Sequence, residues 1–319
     1  MKKFFAYLLL LCMIVSLTAC SLTNEEDGSK IKIICTAFPQ YDWVRAIAGD
    51  SENLDISLLL DNGIDLHSYD PKPGDILKIS KCDMFIYVGG ESEDWVESVL
   101  SSAKNKDMAV LDLLEILGED AKEEEIKEGM ESEEEEPEEE AESDEHVWLS
   151  LKNAVRFCEA IKDSLCAIDP DNSEKYITNC GAYVEKLKDL DKRYEETAAA
   201  SGKKTLIFGG RFPFRYLTDD YGLDYFAAFS GCSSESSASF KTVVFLAKKI
   251  DELELKYIVV LQNSDSKIAE SVRDATTYKN QEILVMNSLE SVSSKNIAEG
   301  TTYIGEMENN LKILEKALG

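Results

Sequence analysis

The sequence predicts an α/β protein of two lobes, each with a mainly parallel sheet covered by helices, bridged by one long rigid helix. Strand and helix signals alternate in a first stretch of the chain and again in a second, a pattern typical of parallel sheets. Between the two stretches lies a long segment of regular helical period. The chain has 319 residues, of which 44% are hydrophobic, so it is long and apolar enough to form two cores.

The first alternating stretch, residues 31–170, predicts the N-terminal lobe. Short apolar runs bounded by turn residues are typical of buried strands. The predicted strands cover residues 31–35, 54–60, 84–88 and 109–111. The predicted helices begin near Asp42, Asp75, Glu93 and Leu151. This order favours a parallel sheet with helices on its faces.

Residues 171–201 predict the linking helix. Apolar residues recur there at alternating intervals of four and three, which keeps them on one face of a helix. They are Tyr176, Cys180, Tyr183, Leu187, Leu190 and Tyr194. Glu174 is placed for a capping box with Asp171. A helix that continues to about Ala199 spans roughly 40 Å, enough to reach across two lobes.

The second alternating stretch, residues 202–319, predicts the C-terminal lobe. The predicted strands cover residues 205–208, 224–229, 256–261 and 282–286. The predicted helices cover residues 212–220, 240–253 and 267–275. A final helix places Ile304, Met307, Leu311, Leu314 and Leu318 on one face.

The N-terminus predicts export and anchoring rather than a folded element. Lys2 and Lys3 precede an apolar run, residues 4–17, that is too short to span a bilayer with ease. The run ends in Leu17-Thr18-Ala19-Cys20, which resembles the lipobox of bacterial lipoproteins. We therefore predict a signal peptide over 1–19, lipidation of Cys20 and a polar tether over 20–30. A plain secretory peptide with an incidental cysteine is the alternative.

The remaining cysteines predict neither a redox motif nor a zinc ribbon. They are Cys35, Cys82, Cys158, Cys166, Cys180 and Cys232. Because none forms a CxxC pair and most lie in apolar runs, they are interpreted as small buried hydrophobic residues. Disulfides are permitted outside the cell, but spacing alone does not pair these residues, so none is assigned.

An acidic tract over 118–145 divides the first lobe. It carries more than half of the formal net charge of −28. Such a composition buries too little apolar surface to order itself, so a mobile inserted loop is expected. The charge also excludes nucleic acid as a partner, because phosphate binding needs a basic surface. A metal cation is the more natural partner, and a solvated linker is the alternative.

The two histidines, His67 and His146, are the candidate metal ligands. His67 follows a predicted strand, and His146 closes the acidic tract. Taken singly, each is a loop histidine with an ordinary hydrogen bond, although histidine is the commonest metal ligand in proteins. Their surroundings change this interpretation.

Several segments resemble the metal-receptor lipoproteins of bacterial ABC importers, of the zinc-uptake solute-binding protein family. They are residues 36–50, His67-Ser68-Tyr69-Asp70-Pro71, residues 75–79, residues 83–89 and Glu145-His146-Val147-Trp148-Leu149-Ser150. The resemblance implies two α/β lobes bridged by a long helix, with a metal ion held between them. It implies that His67 and His146 are the ligands from the first lobe. An acidic loop before the second histidine marks the zinc branch of that family.

The second lobe departs from the family pattern. A histidine or glutamate ligand is expected where Arg211 stands, and an aspartate where Asn287 stands. Arginine offers no lone pair and an amide oxygen is a poor zinc ligand. Glu235 is the tentative replacement, with a solvated loop carboxylate as the alternative, and Cys232 in the same loop is a softer candidate. Arg211 is then expected to pair with Glu235 or with another carboxylate near the ion and to orient it, and water is a further candidate for the coordination sphere.

The resemblance implies a receptor that binds Zn²⁺ and delivers it to an ABC permease, without chemical conversion. The chain is expected to act as a monomer on the outer face of the cytoplasmic membrane, which it touches through its lipid anchor. Mn²⁺ or another divalent ion is the first alternative, although two nitrogen ligands favour zinc. A surface adhesion or interaction protein that has lost transport is the second. A zinc hydrolase is disfavoured because the sequence has no HExxH spacing.

Overall fold

The computed structural model describes residues 30–131, 142–233 and 237–319. The predicted signal peptide and all of the predicted tether except Lys30 lie outside these ranges, as does Cys20. In the described ranges, no helix combines the length and the apolar character needed to cross a membrane.

The first lobe contains a four-stranded parallel sheet, as predicted. Its strands are β1 (Ile31–Cys35), β2 (Leu54–Leu58), β3 (Met84–Tyr87) and β4 (Ala109–Asp112), in the spatial order β2-β1-β3-β4. Its helices are α1 (Phe38–Ala48), α2 (Pro73–Ile79), α3 (Trp95–Ser101) and α4 (Leu113–Leu117). Helix α4 was not predicted, because five residues are too few to display a helical period. Its start is set by Asp112, whose side chain accepts a hydrogen bond from the Glu115 N–H.

Two packed helices lead from the first lobe to the second. They are α5 (Leu151–Ile168) and α6 (Ser173–Ala200), and α6 has 28 residues. The predicted apolar positions of α6 are buried except Tyr183, which is partly buried and packs against the same core, and the neighbouring Val184 is also buried there. These residues belong to one continuous apolar core that also contains side chains from both lobes. The linking helix therefore joins the lobes through their shared interior.

The second lobe repeats the strand order of the first. Its parallel strands are β5 (Thr205–Phe212), β6 (Asp224–Ser230), β7 (Tyr257–Leu261) and β8 (Glu282–Met286), in the order β6-β5-β7-β8. Its helices are α7 (Arg215–Asp220), α8 (Phe240–Leu253), α9 (Lys267–Ala275), α10 (Ser294–Ala298) and α11 (Tyr303–Leu318). The predicted helix at 212–220 was wrong at its start. Strand β5 continues through an irregularity to Phe212, so Arg211 lies within the strand end.

Helix α11 returns to the first lobe and fixes the two lobes to each other. The Tyr303 N–H donates to Asp42 of α1 at 2.8 Å. The Tyr303 hydroxyl donates to the backbone carbonyl of Trp148 at 2.6 Å, and its ring meets Trp43 edge-on at 5.1 Å. These groups are buried, so the contact is held by both hydrogen bonds and packing.

The two described parts of the acidic tract, residues 118–131 and 142–145, are held against the second lobe, and we call them its flanks. For these residues, the prediction of a mobile loop over 118–145 was wrong. They pair with each other, because the Asp144 N–H donates to the Lys122 carbonyl at 2.7 Å. They also meet the second lobe, where Arg215 pairs with Glu125 at 2.9 Å and the Glu131 N–H donates to strand β6. Composition did not predict this, because it records charge but not the cationic and backbone partners that the second lobe supplies. Residues 132–141 lie outside the described ranges.

Candidate metal site

His67 and His146 meet between the two lobes. His67 lies in a single 3₁₀ turn (Leu66–Ser68) after β2, and His146 precedes a second 3₁₀ turn (Val147–Leu149) that leads into α5. Their Nε2 atoms are 3.3 Å apart. The side chain of His67 is 10% exposed and that of His146 is fully buried. The two residues therefore present adjacent nitrogen donors away from bulk water.

The ring of His67 is fixed by its neighbours. Its Nδ1 lies 2.7 Å from the Ser92 hydroxyl and 3.5 Å from a Glu145 carboxylate oxygen. The other Glu145 oxygen accepts from the Ser92 N–H at 2.8 Å. Asp65 caps the turn by accepting from the His67 N–H at 3.1 Å. These contacts occupy Nδ1 and direct Nε2 toward His146, as partners of metal-binding histidines do.

The ring of His146 is fixed by a carboxylate. Oδ1 of Asp144 lies 2.9 Å from both the backbone nitrogen and the ring Nδ1 of His146. On the other side, the adjacent Trp148 donates its indole N–H to the Ser288 carbonyl at 2.8 Å. Because Ser288 belongs to the loop after β8, this bond ties His146 to a loop of the second lobe.

That loop supplies a third donor, Glu290, which the sequence analysis did not identify. Its Oε1 lies 2.5 Å from Nε2 of His146 and 3.7 Å from Nε2 of His67. Its Oε2 accepts from the Ser288 hydroxyl at 2.9 Å, and the residue is 3% exposed. Loops at the carboxyl ends of parallel strands build sites in α/β proteins, and this loop follows strand β8. In the sequence, the same rule led to Glu235 in the loop after β6 and not to Glu290.

Asn287 shapes this loop rather than pointing into the site. Its side-chain oxygen accepts from the Leu289 N–H at 2.8 Å, and its amide group donates to Glu306 at 2.8 Å. Leu289 takes a left-handed backbone conformation, with φ of 63°. The resulting tight turn directs Glu290 into the site. Glu290 lies three positions after Asn287, where the family ligand was expected.

Arg211 ties the carboxylates of both lobes together. Its guanidinium donates to Asp65 of the first lobe and lies 3.6 Å from Oε2 of Glu290. Asp65 in turn caps the turn of His67. Arg211 therefore contacts the candidate donor Glu290 and also Asp65, which caps the turn of His67. A cavity of about 360 Å³, lined in part by these three side chains, lies beside them between the lobes.

Cys232 also reaches the site. Its sulfur and ring nitrogens of His67 and His146 all lie within 4.8 Å of one another, and donor atoms of Asp65, His67 and Glu290 form a second such group. The preceding residue must be small, since a Cβ on Gly231 would lie 2.8 Å from Cε1 of His146. Glu235, the tentative ligand, lies outside the described residues.

The ionisable side chains of the site shift one another's pKa values. Burial disfavours a charged His146, but Glu290 and Asp144 raise the pKa of His146 well above its usual value. Burial likewise opposes ionisation of Glu290, yet His146, His67 and Arg211 hold the pKa of Glu290 well below its usual value. Burial and the carboxylates of Glu124, Glu145 and Asp144 raise the pKa of the Cys232 thiol. The buried negative charge favours a cation at this position, whether a proton or a metal ion.

The family model described as the periplasmic component A of the zinc-uptake complex, ZnuA, matches residues 33–317. The chain belongs to this family. The zinc-binding lipoprotein AdcA of Streptococcus pneumoniae is 32% identical over an alignment of 320 positions, which covers 99% of this chain. The chain spans 61% of the length of that relative. The high-affinity zinc uptake protein ZnuA of Bacillus subtilis is 31% identical over 299 residues, covering 92% of this chain and 89% of the relative.

Solved structures of ZnuA relatives confirm the predicted two-lobed α/β fold. The Zn(II)-bound ZnuA-like domain of pneumococcal AdcA is 29% identical, with a TM-score of 0.70 over 91% of this chain and 99% of the domain. The metal-dependent lipoprotein YcdH of Bacillus subtilis is 30% identical, with a TM-score of 0.73 over 91% of this chain and 99% of that structure. The predicted family is thus confirmed, while the roles of individual site residues stay predictions.

Proposed function

We propose that this ZnuA-family chain is an extracytoplasmic receptor that captures Zn²⁺ between its lobes and delivers it to an ABC permease. The observation that carries the proposal is the buried convergence of His67, His146 and Glu290. Two imidazole nitrogens 3.3 Å apart and a carboxylate oxygen within 3.7 Å of both form a compact donor set. This spacing suits one small ion with bonds of about 2 Å.

The donor types favour zinc over manganese. Imidazole nitrogen suits zinc, whereas manganese prefers oxygen donors and binds a given mixed site more weakly. The names of the relatives, which describe zinc-binding and zinc-uptake proteins, support the same choice. Manganese is therefore the competitor against which selectivity is to be measured.

The proposed location is the outer face of the cytoplasmic membrane. The predicted lipidation of Cys20 supplies an anchor without a membrane span, and relatives named as lipoproteins support it. Membership of an uptake-complex family supports a permease as the partner. We propose that the chain acts as a monomer that binds and releases the ion, and that it is not an enzyme.

Calorimetric titration of the exported chain, residues 20–319, with Zn²⁺ tests the proposal. We expect one ion per chain with sub-micromolar affinity, and a loss of about 100-fold or more in His67→Ala and in His146→Ala. Glu299→Gln, which changes an exposed carboxylate at the end of α10, serves as the control and is expected to bind normally.

Three outcomes contradict the proposal in whole or in part. Undiminished binding in both histidine variants removes the site. Absence of zinc binding by the unmodified chain removes metal capture altogether and favours a surface interaction role. Tighter binding of Mn²⁺ than of Zn²⁺ overturns the choice of metal.

A further inference from the structure

The proposed donor set leaves a zinc ion one ligand short. Protein-bound zinc is four-coordinate and tetrahedral when its site is closed, and His67, His146 and Glu290 supply three donors. Arg211 stays protonated and offers no lone pair. The Asp65 carboxylate is engaged by Arg211 through one oxygen and by the His67 N–H through the other. The fourth donor is therefore another side chain or water.

The Cys232 sulfur lies close to both imidazole donors. It belongs to a group in which the sulfur and both imidazole donors are within 4.8 Å of one another. Ligand atoms around a tetrahedral ion with bonds of about 2.0–2.3 Å lie roughly 3.3–3.8 Å apart, so small shifts close the arrangement.

The loop that carries Cys232 is anchored on both sides of the site. The Cys232 N–H donates to Glu124 in the first flank of the acidic tract at 2.8 Å. Gly231 lies against the ring of His146, where a side chain on residue 231 would collide. The same flank is fixed to the second lobe through the pairing of Arg215 with Glu125 at 2.9 Å. The thiol is thus held next to the imidazoles by backbone contacts.

We propose that the Cys232 thiolate is the fourth protein ligand of the captured ion, completing a site of two imidazoles, one carboxylate and one sulfur. This inference rests on the proposed zinc capture. On binding, the thiol gives up its proton to solvent as the metal–sulfur bond forms. Nε2 of His146 likewise gives up to solvent the proton that it shares with Glu290 as the metal–nitrogen bond forms. The carboxylate and the thiolate together neutralise a divalent ion. Sulfur is a soft ligand, so the site selects zinc, and also cobalt, against manganese.

Cobalt(II) substitution of the exported chain tests the ligand directly, because a cobalt–thiolate bond produces a near-ultraviolet charge-transfer band. Visible d–d bands independently report that cobalt is bound. We expect both signals in the unmodified chain and in Cys166→Ser. Cys166 is a matched control, since it is a partly exposed free thiol whose sulfur contacts the Ser173 carbonyl in the linking-helix region. In Cys232→Ser, we expect the charge-transfer band to vanish, the visible bands to persist and zinc affinity to fall by about 100-fold or more.

The outcomes separate this inference from the proposed function. Two results overturn the cysteine ligand but leave metal capture intact. One is visible bands without a charge-transfer band in the unmodified chain, and the other is a charge-transfer band that persists in Cys232→Ser. Absence of both cobalt and zinc binding overturns the proposed function itself.

Thiol alkylation of the unmodified chain gives a second test that needs no variant to fold. We expect zinc to protect Cys232 from a maleimide while Cys166 reacts at an unchanged rate, as read by mass spectrometry of peptides. An alkylation rate of Cys232 that is measurable without zinc and unchanged by zinc contradicts the inference.

Discussion

Each candidate donor has its second polar atom occupied. Nδ1 of His67 meets Ser92, Nδ1 of His146 meets Asp144, and Oε2 of Glu290 accepts from Ser288. The remaining atoms, both Nε2 nitrogens and Oε1, face one another. Such partners hold donors in position before the ion arrives, which reduces the conformational entropy lost on binding.

Glu290→Gln tests the donor that sequence analysis missed. The substitution keeps the shape of the side chain but removes its charge, and an amide oxygen is a weaker zinc donor. We expect zinc affinity to fall by about 100-fold or more, since even neighbours of ligands contribute roughly 10- to 100-fold. Titration calorimetry measures the loss. Glu308→Gln, which removes a half-exposed carboxylate paired with Arg193, is the control. Equal affinities in the two variants argue against Glu290 as a ligand.

The histidines and Glu290 differ in how predictable they were. The chain has two histidines, so each was a candidate ligand, and the structure brings both together. It has 62 aspartate and glutamate residues, so a single carboxylate carries little information. Glu290 is distinguished by the left-handed turn at Leu289 and by burial, and both depend on the tertiary structure.

Glu93 predicts a pH dependence of stability in the metal-free protein. Burial raises the pKa of Glu93 from 4.5 to about 8. The charge of Glu145 adds to this rise, whereas hydrogen bonds from Thr36 and from the backbone of Gly89 and Val88 reduce it. A carboxyl group whose pKa is higher in the folded state binds more protons there than in the unfolded chain. Its contribution to stability is therefore present at low pH and is lost as pH rises from about 4.5 to 8.

Glu93→Gln removes this dependence. We expect the variant to gain stability over the unmodified protein as pH rises from 5 to 8, with a change of up to about 1.4 kcal/mol for each pH unit. Urea unfolding at a series of pH values measures it. Glu97→Gln, at an exposed position of α3, should follow the unmodified profile. A Glu93→Gln profile parallel to that of the unmodified protein contradicts the account.

At the scale of elements, the flanks of the acidic tract connect His146 to the second lobe. The hydroxyl of Tyr216 in α7 accepts from the Lys122 N–H at 2.9 Å and donates to the Asp144 carbonyl at 3.1 Å. One buried side chain thus holds both flanks at the point where they pair. Because Asp144 also positions the ring of His146, the support of the site extends into α7.

Tyr216→Phe separates this support from bulk packing. The ring is kept and the two hydrogen bonds are lost, so we expect the free energy of unfolding to fall by about 1–2 kcal/mol. Zinc affinity should fall by a smaller factor than in Glu290→Gln, because the flanks shift without a donor being removed. Tyr278→Phe, at a tyrosine that is 79% exposed, is the matched control. A Tyr216→Phe protein as stable as this control contradicts a supporting role for the flanks.

The regular elements were predictable where the pattern was long enough to carry a period. Strands β1 and β8 and helices α8 and α9 have the predicted bounds. Short helices such as α10 were not predicted. The predicted strand at 205–208 was too short, since β5 continues to Phe212, and the helix predicted from residue 212 begins at Arg215. In β5, pairing with β6 resumes at Arg211 after an irregularity, a tertiary effect that local composition does not record.

At the scale of the whole molecule, the two lobes have the same strand order and face each other across the site. Asp65 and Arg211 join the lobes beside the site, and the hydrogen bond from Tyr303 to Asp42 joins α11 to α1. The sequence predicted both lobes and the linking helix. It did not predict the return of α11 to the first lobe, since such contacts join residues that are far apart in the chain.

The site between the lobes is tested most directly by anomalous diffraction at the zinc edge from zinc-loaded crystals of residues 20–319. We expect one strong peak between the lobes, about 2.0–2.2 Å from Nε2 of His67, Nε2 of His146 and a carboxylate oxygen of Glu290. A peak elsewhere in the molecule, or a peak that touches only one of the two histidines, contradicts the account.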